Sequence, residues 1–366
     1  MKPFYEQPVL NSPYHVPSRH HALGEDGQPL EQAPINGRRR SRYMVPVPRS
    51  RKQRPRNSQE ELLLDDAGQT TTYNPSVIVN EIRSYLDAWR SLPDPHDWGV
   101  TPTTQRLLLH WRKESWSNQR PFFCQLEAIE TIIWLSEVAR GKRQYAAIFR
   151  TLEAANAESN PELFRLAMKL ATGAGKTTVM AMLIAWQAIN HSRQPNSSLF
   201  SKGFLIVAPG ITIKDRLRVL LPSDPDNYYR TRELVPPDML TELGNAKIVI
   251  TNYHAFQMRE RLETNKTGRA VLAGWRNEPL ITRETEGEML QRACGELLSV
   301  KNVVVINDEA HHCYREKSVN PAEETLKGED RAEAEANTAA ARLWISGIEA
   351  LKHKVDLRGV FDLSAC

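Results

Sequence analysis

The sequence has few cysteines and lacks a long apolar run. It contains only four cysteines among 366 residues: Cys124, Cys294, Cys313 and Cys366. No two of them have the spacing of a disulfide framework or a zinc ribbon. The longest apolar run, residues 179–186, is far shorter than a membrane span, and the first ten residues lack the apolar core of a signal peptide. These absences argue against a disulfide-rich secreted protein and a membrane protein, and they predict a cytoplasmic location.

The chain also has little net charge, and that charge is unevenly distributed. The formal net charge is +4, yet residues 1–60 hold 11 Lys or Arg against 5 Asp or Glu. Their surplus of 11 − 5 = +6 leaves 4 − 6 = −2 for residues 61–366. The basic residues concentrate in the run at residues 37–56, which either contacts phosphates or is a solvated flexible arm. The charge of the remainder does not by itself indicate a nucleic-acid partner.

The pattern of residues divides the chain into three parts. Residues 1–60, with nine prolines, are predicted to be a basic, largely irregular arm. Residues 61–118 are predicted to be a helical lead-in, because apolar residues recur there at helical spacing. Residues 119–366 are predicted to form the main domain. Within it we expect a helix at 120–139, a connector at 154–160 and a charged helical insertion near 315–342.

Short β-branched runs alternate with helical stretches in the main domain. The predicted strands are residues 164–170, 203–209, 246–251, 303–307 and 359–365. The predicted helix at 177–189 is apolar nearly all round, so we expect it to be buried against a sheet. Runs that are apolar on both faces and separated by helices are typical of a parallel sheet covered on both sides. The predicted fold class is therefore α/β.

The segment LATGAGKTT, residues 170–178, lies between a predicted strand and the apolar helix. Gly173 and Gly175 permit a tight turn that brings backbone N–H groups to a polyphosphate. Lys176 is placed to reach the β- and γ-phosphates, and Thr177 to bind Mg²⁺. The predicted nucleotide-binding residues are Thr172, Gly173, Ala174, Gly175, Lys176, Thr177 and Thr178. Leu170 replaces the first glycine of the full phosphate-loop pattern, and a chance match is the alternative.

The segment VVVINDEAHH, residues 303–312, delivers two carboxylates at the end of a strand. Asp308 is predicted as the second Mg²⁺ contact, and Glu309 as the group that orients or deprotonates the attacking water. Alternatively, the carboxylates cap a following helix. His311, His312 and Cys313 also suggest a zinc site, but no second ligand pair accompanies them. We favour histidines that lie beside the nucleotide site and relay its state, with His311 as a catalytic candidate.

These segments resemble a known family. TGAGKT, DEAH and the final SAC resemble motifs I, II and III of superfamily 2 DEAD/DEAH-type helicases, most closely those of the Res subunit of type III restriction enzymes. The resemblance implies a three-layer RecA-like P-loop domain with a mainly parallel sheet, preceded by the helical region and the basic flexible arm. It also implies ATP and Mg²⁺ as cofactors and an ATP-hydrolysing helicase or translocase as the parent protein.

Further positions match the motifs of that family. FFCQLEAIET resembles the Q-motif region, which implies that Gln125 reads the adenine edge. VAPGITIKDRL and TNYHAF resemble motifs Ia and Ib, which line the nucleic-acid backbone in the family. The nucleic-acid track carried over from them is Pro209, Gly210, Thr212, Thr251 and Asn252. Motif III places Ser364 and Ala365 as coupling residues.

The sequence departs from the family at its end. Motif III ends in Ser-Ala-Thr in the family, whereas Cys366 follows Ala365 here and is the last residue. The resemblance implies a second RecA-like domain with an arginine finger, and a nuclease, that this sequence does not contain. We therefore expect the 366-residue chain to bind ATP–Mg²⁺ weakly, to hydrolyse it slowly, and neither to unwind nor to cleave DNA.

The leading interpretation is the amino-terminal ATP-binding half of a DNA-dependent translocase in a type III restriction-modification-like system. Double-stranded DNA is its expected partner, a modification methyltransferase subunit is a candidate partner, and no membrane is expected. Alternatives are a fragment of another DNA or RNA helicase, and a non-catalytic ATP- or DNA-binding fragment. The DEAH segment and the Gln125 region argue against a further alternative, an unrelated P-loop kinase or transporter ATPase.

Overall fold

A computed structural model describes residues 3–24, 27–42, 75–262, 281–313 and 329–365. The α-helices are α1 (Pro3–Glu6), α2 (Pro75–Arg90), α3 (Pro102–Arg112), α4 (Phe123–Ile133), α5 (Ala146–Ser159), α6 (Lys176–Arg193), α7 (Ile211–Leu217), α8 (Tyr228–Thr231), α9 (Glu286–Cys294) and α10 (Glu329–Lys352). The strands are β1 (Arg19–His20), β2 (Ile35–Asn36), β3 (Arg165–Leu170), β4 (Gly203–Ala208), β5 (Lys247–Asn252), β6 (Glu260–Leu262), β7 (Ile281–Arg283), β8 (Asn302–Asp308) and β9 (Asp356–Ala365). Most of the predicted basic run, and part of the charged stretch at 315–342, lie outside the described residues.

The chain divides into two compact units, Met1–Glu158 and Ser159–Cys366. The three-part division made from the sequence, with boundaries after residues 60 and 118, stays a prediction. Within the described ranges, no helix has both the length and the apolar character needed to cross a membrane.

The first unit is mainly helical, and ion pairs complement its apolar contacts. Helices α2, α3 and α4 contribute fully buried side chains, among them Leu86, Leu107, Trp111 and Ile129. Arg112 contacts the buried carboxylate of Glu130 at 2.7 Å. Arg38 of the basic run also belongs to this unit, where its Nη1 donates to Glu127 Oε1 at 2.6 Å. That arginine is therefore an internal ion-pair partner.

The second unit is built on a five-stranded parallel sheet with strand order β3-β9-β8-β4-β5. Each of the five runs predicted as strands forms one of these strands. The α/β fold with a mainly parallel sheet is thereby confirmed. Strands β9 and β8 lie between β3 and β4, although they come last in the sequence. Consequently β9 separates the strand that leads into LATGAGKTT from the strand that ends in DEAH.

Helices cover the apolar sheet. One face contributes Leu205, Val305 and Val360 to a core cluster with Leu290 of α9 and Trp344 of α10. Helix α6 is buried at every position from Thr178 to Asn190, as its uniformly apolar sequence predicted. Successive strand residues point to opposite faces, so both sheet faces need such cover.

The sequence interpretation was wrong about the connector at residues 154–160. Most of that stretch belongs to α5, which continues to Ser159. Alanine and glutamate are strong helix formers, and they outweigh the small polar residues beside them. The antiparallel pair β6–β7, which flanks residues outside the description, was also not predicted.

Gly347 allows α10 to pack tightly on the turn that follows β5. A Cβ atom at this position would lie 2.2 Å from Cγ of the buried Phe256 ring. Real Cβ atoms do not approach a ring so closely, and a buried ring has little room to move. The absence of a side chain is thus a packing requirement.

We predict that Gly347→Ala destabilises the protein, although alanine favours a helix over glycine by about 1 kcal/mol. Overpacking of a core costs about 1–3 kcal/mol, so the net change should be unfavourable. Gly287→Ala in α9 is the matched control, because a Cβ there meets nothing within 4 Å. Urea unfolding should show a loss of stability for the first variant and none for the second. Equal stabilisation of both would contradict the close packing.

Candidate active site

The loop between β3 and α6 has the geometry of an anion cradle. Gly173 and Gly175 have φ angles of +79° and +77°, in the left-handed region that glycine adopts without strain. The Ala174 N–H donates to the Ala171 carbonyl at 3.0 Å, which closes the turn. Gly175 is the N-cap of α6, and as a glycine it has no side chain that could cap this helix end. An uncapped helix N-terminus after a glycine-rich turn fits a phosphate group.

Lys176 connects this loop with the DEAH segment. Its Nζ donates to Glu309 Oε1 at 2.6 Å. The two side chains are 13% and 30% exposed, so this ion pair is accessible to a ligand. Two segments far apart in the sequence therefore meet above the end of β9. The structure brings together the residues predicted as phosphate-binding and as catalytic, while their roles stay predictions.

Asp308 and Glu309 have different environments at the end of β8. Asp308 is buried, and its Oδ1 accepts the Glu309 N–H at 3.0 Å. Burial raises the pKa of Asp308, the neighbouring Glu309 carboxylate raises it further, and Lys176 opposes the rise. Glu309 has a φ of +48°, a left-handed conformation that costs a non-glycine residue about 1–3 kcal/mol. Such strained conformations are found at functional sites, where the direction of a side chain is kept despite the cost in backbone conformational energy.

His311 lies between Glu309 and the end of β9. Its Nδ1 is 3.6 Å from Glu309 Oε2 and 3.3 Å from the hydroxyl oxygen of Ser364. Ser364 is buried, and with Ala365 it ends the strand between the two loops. Ser364, one of the two coupling residues predicted from motif III, thus contacts the DEAH segment through His311.

The chemistry of these residues fits Mg²⁺. Thr177, half-buried in the first turn of α6, and Asp308 supply hydroxyl and carboxylate oxygens, the ligands that this ion prefers. The described side chains contain no group of three His, Cys, Asp or Glu residues arranged for a metal. The side chains of His312 and Cys313, which suggested zinc, lie outside the description.

The predicted nucleic-acid track lies along the same edge of the sheet. Pro209 and Gly210 are half-exposed between β4 and α7, while the side chain of Thr212 is not described. Thr251 and Asn252 are the last residues of β5 rather than part of the following loop. Thr251 is buried, and Asn252 Oδ1 accepts the Ala255 N–H at 3.2 Å, capping the 3₁₀ turn Tyr253–Phe256. Their contact with nucleic acid stays a prediction.

Gln125 belongs to the first unit. It is buried near the start of α4, where its Oε1 accepts the Phe122 N–H at 3.0 Å. This bond fixes the first turn of the helix. The adenine contact expected for Gln125 stays a prediction.

Arg232 is a site residue that no motif indicated. Its Nη1 donates to the Thr178 hydroxyl at 2.8 Å, in the first turn of α6. Its guanidinium also lies 3.8 Å from the ring centroid of Tyr228. Glu233, directly after it, has a φ of +50°, and this turn brings the chain away from α8. The Thr178 hydroxyl is therefore already engaged by a cation, and its backbone N–H donates to the Gly175 carbonyl at 2.9 Å. The nucleotide contact expected for Thr178 stays a prediction.

Comparison with known proteins identifies the family. The family model described as "Type III restriction enzyme, res subunit" matches residues 121–340, more than half of the chain. The chain belongs to this family. The resemblance seen in the motifs is thereby confirmed, and the chain contains a superfamily 2 helicase ATP-binding domain.

Other comparisons add less. The crystal structure of T4 UvsW aligns with 83% of this chain and 42% of its own, at 14% identity and a TM-score of 0.29. The chain thus spans less than half of that protein, and so low a TM-score supports no detailed argument. A search of curated proteins found no match.

We predict that Arg232→Leu weakens ATP binding, because it removes a positive charge from the phosphate end of α6 and leaves the buried Thr178 hydroxyl without this donor. The hydrogen bond itself lies within the protein, so the expected effect comes from the lost charge attraction to the phosphates. That attraction is worth about 1 kcal/mol in a water-accessible site, so affinity should fall by about fivefold. Arg193→Leu is the control, since Arg193 pairs with Glu242 at the opposite end of the same helix. Calorimetric titration with ATP–Mg²⁺ should separate the variants. Equal affinities would show that Arg232 has only a packing role.

Proposed function

We propose that this chain is the ATP-binding domain of a DNA-dependent translocase that serves as the restriction subunit of a type III restriction-modification-like system. The observation that carries the proposal is the contact between Lys176 and Glu309. It joins a phosphate-loop cation to the carboxylate that follows a strand-end aspartate. Membership of the Res family supports the restriction role, and a modification methyltransferase is the partner which that role requires.

The Lys176–Glu309 ion pair is the state from which the reaction starts. An ATP β- or γ-phosphate competes with Glu309 for the Lys176 ammonium group. When the phosphate takes the lysine, the Glu309 carboxylate is released and accepts a proton from, or orients, a water molecule near the terminal phosphate. Thr177 and Asp308 would hold Mg²⁺, which when bound neutralises developing charge on the phosphates. ATP binding therefore also generates the free base.

His311 connects the exchange at Lys176 and Glu309 with the end of β9. Because its Nδ1 lies near both Glu309 and Ser364, release of Glu309 from Lys176 changes the hydrogen-bonding options of the imidazole. The nearby strand ends carry the Asn252 and Gly210 segments. We propose that double-stranded DNA follows these segments, with its phosphates contacting backbone N–H groups and the Asn252 amide.

Opposite changes in ATP affinity test the ion-pair exchange. Lys176→Ala should weaken ATP–Mg²⁺ binding by about 10–100-fold, because a charged hydrogen bond to phosphate is lost. Glu309→Gln should strengthen binding by up to about fivefold, since it removes a competing partner and a negative charge, while hydrolysis falls. Lys301→Ala is the control, because this exposed lysine precedes β8 at the opposite edge.

Calorimetry with ATP–Mg²⁺ measures all three variants, and an ATPase assay measures turnover. Weaker binding in both site variants would contradict the exchange. Wild-type affinity in Lys176→Ala would contradict the assignment of the phosphate loop itself.

Asn252→Asp tests the DNA track with little structural change. Aspartate retains an oxygen to accept the Ala255 N–H, but it replaces an amide donor with a negative charge. We expect binding of a labelled DNA duplex to weaken by at least about threefold at low salt, and less as salt screens the charge. Asn245→Asp, exposed just before β5, is the control. Fluorescence anisotropy gives both affinities, and equal affinities for the two variants would place the DNA elsewhere.

A further inference from the structure

A line of buried polar side chains crosses the sheet beneath the candidate active site. The Arg165 Nη2 lies 2.8 Å from Asp362 Oδ2, and the Asn307 amide donates to Asp362 Oδ1 at 2.7 Å. The Trp344 indole N–H then donates to Asn307 Oδ1 at 2.9 Å. We call these four residues the polar line. It joins β3, β9, β8 and α10 through side chains alone.

The sheet register explains why these residues meet. Asn307 and Asp362 are paired residues of the adjacent strands β8 and β9. Asp362 is also paired with Ala167 of β3, and Arg165 lies two residues earlier on the same face of that strand. Trp344 comes from α10, which packs on the Val305 and Val360 side of the sheet.

The polar line contains buried charges, whose desolvation free energy limits how much the line can stabilise the fold. The side chains of Arg165 and Asp362 are only 2% and 1% exposed, and Trp344 and Asn307 are fully buried. Removing two charges from water carries a desolvation penalty that apolar residues of similar size do not incur. Burial raises the pKa of Asp362, although Arg165 and Asn307 oppose the rise. What the polar line supplies, and apolar packing does not, is a directional connection with a single geometry.

The residues of the polar line are next to those of the candidate site. Asn307 directly precedes Asp308, and Asp362 lies two residues before Ser364. Trp344 stacks on Tyr253, with ring centroids 5.5 Å apart and planes 8° apart. Tyr253 opens the turn that Asn252 caps, at the predicted DNA track.

We propose that the polar line positions Asp308 and Ser364 and couples DNA binding at the Tyr253 turn to ATP binding at the phosphate loop. The inference rests on the proposed function, since it requires both ligands. A shift of the Tyr253 ring on DNA binding moves Trp344, and the Trp344–Asn307 bond transfers that movement to the residue before Asp308. Through their contacts with Asn307 and with each other, Asp362 and Arg165 transmit the same movement to β9 and β3. Arg165, Asn307, Asp362 and Trp344 are thus positioning residues that touch neither ligand.

Trp344→Phe is the decisive variant, because it keeps an aromatic ring on Tyr253 and removes the indole N–H from Asn307. The measurement is the ATP–Mg²⁺ dissociation constant of the 366-residue chain with and without saturating duplex DNA. Coupled sites commonly change each other's affinity by about 5–150-fold. We expect the wild type to show at least about a fivefold ratio. The variant should show a ratio near one while it still binds each ligand.

Trp89→Phe is the matched control, since Trp89 is also buried and its indole N–H donates to the Trp98 carbonyl at 2.9 Å in the first unit. Its ratio should equal that of the wild type. If Trp344→Phe does not fold, Tyr253→Leu removes the stacked ring at the half-exposed end and should lower the ratio in the same way. A variant that weakens ATP binding equally with and without DNA leaves the ratio of its two dissociation constants unchanged. The ratio therefore separates a loss of coupling from general damage to the ATP site.

An unchanged ratio in Trp344→Phe overturns the inference. A wild-type ratio of one, with ATP and DNA both bound, also overturns it and leaves the proposed function standing. Failure of the wild type to bind ATP or DNA instead contradicts the proposed function, and the coupling with it.

Discussion

All five strands of the main sheet run in one direction, so their last residues meet at a single edge. The rest of the candidate site depends on this constraint. Because β9 lies between β3 and β8, the phosphate loop and the DEAH segment lie on either side of Ser364, and Lys176 reaches Glu309 across the end of β9. Parallel α/β sheets place ligands at this edge, where the strand order reverses. Any residue that acts on a ligand here must come from a strand end or from the loop that follows it.

Two ion pairs near this edge differ in their exposure to solvent. The Lys176–Glu309 pair is partly exposed, so a ligand can reach it, and the proposed function requires this pair to exchange its partners. The Arg165–Asp362 pair is buried and bonded to Asn307, so it cannot exchange its partners with a ligand. An exchangeable pair above a fixed one allows the ligand to change a contact while the strands keep their register. Arg232, bonded to Thr178, adds a further cation beside the same loop.

The strands and motifs were predictable because their signals are local. β-Branched runs identified the five strands, and glycine, lysine and carboxylate spacing identified the two loops. The buried state of Arg165 was not predictable, since its partner Asp362 is brought to it only by the strand order. Arg232 had no local signal either, because its contact with Thr178 depends on how the segment after α8 packs along α6. The stretch predicted as a connector belongs to α5 for a different reason. Its alanine and glutamate residues favour a helix, and the prediction gave this local signal too little weight.

Hydrogen exchange of the 366-residue chain, with and without saturating ATP–Mg²⁺, tests most directly whether the two loops form one nucleotide site. We expect backbone amides of residues 173–178 and 308–311 to become protected together, because the first group is proposed to bind phosphate and the second to reorganise when Lys176 leaves Glu309. Amides at the opposite edge, near Lys301 and Val355, should not change. Protection of the phosphate loop alone, or of neither loop while ATP is bound, would show that the two loops do not form one nucleotide site.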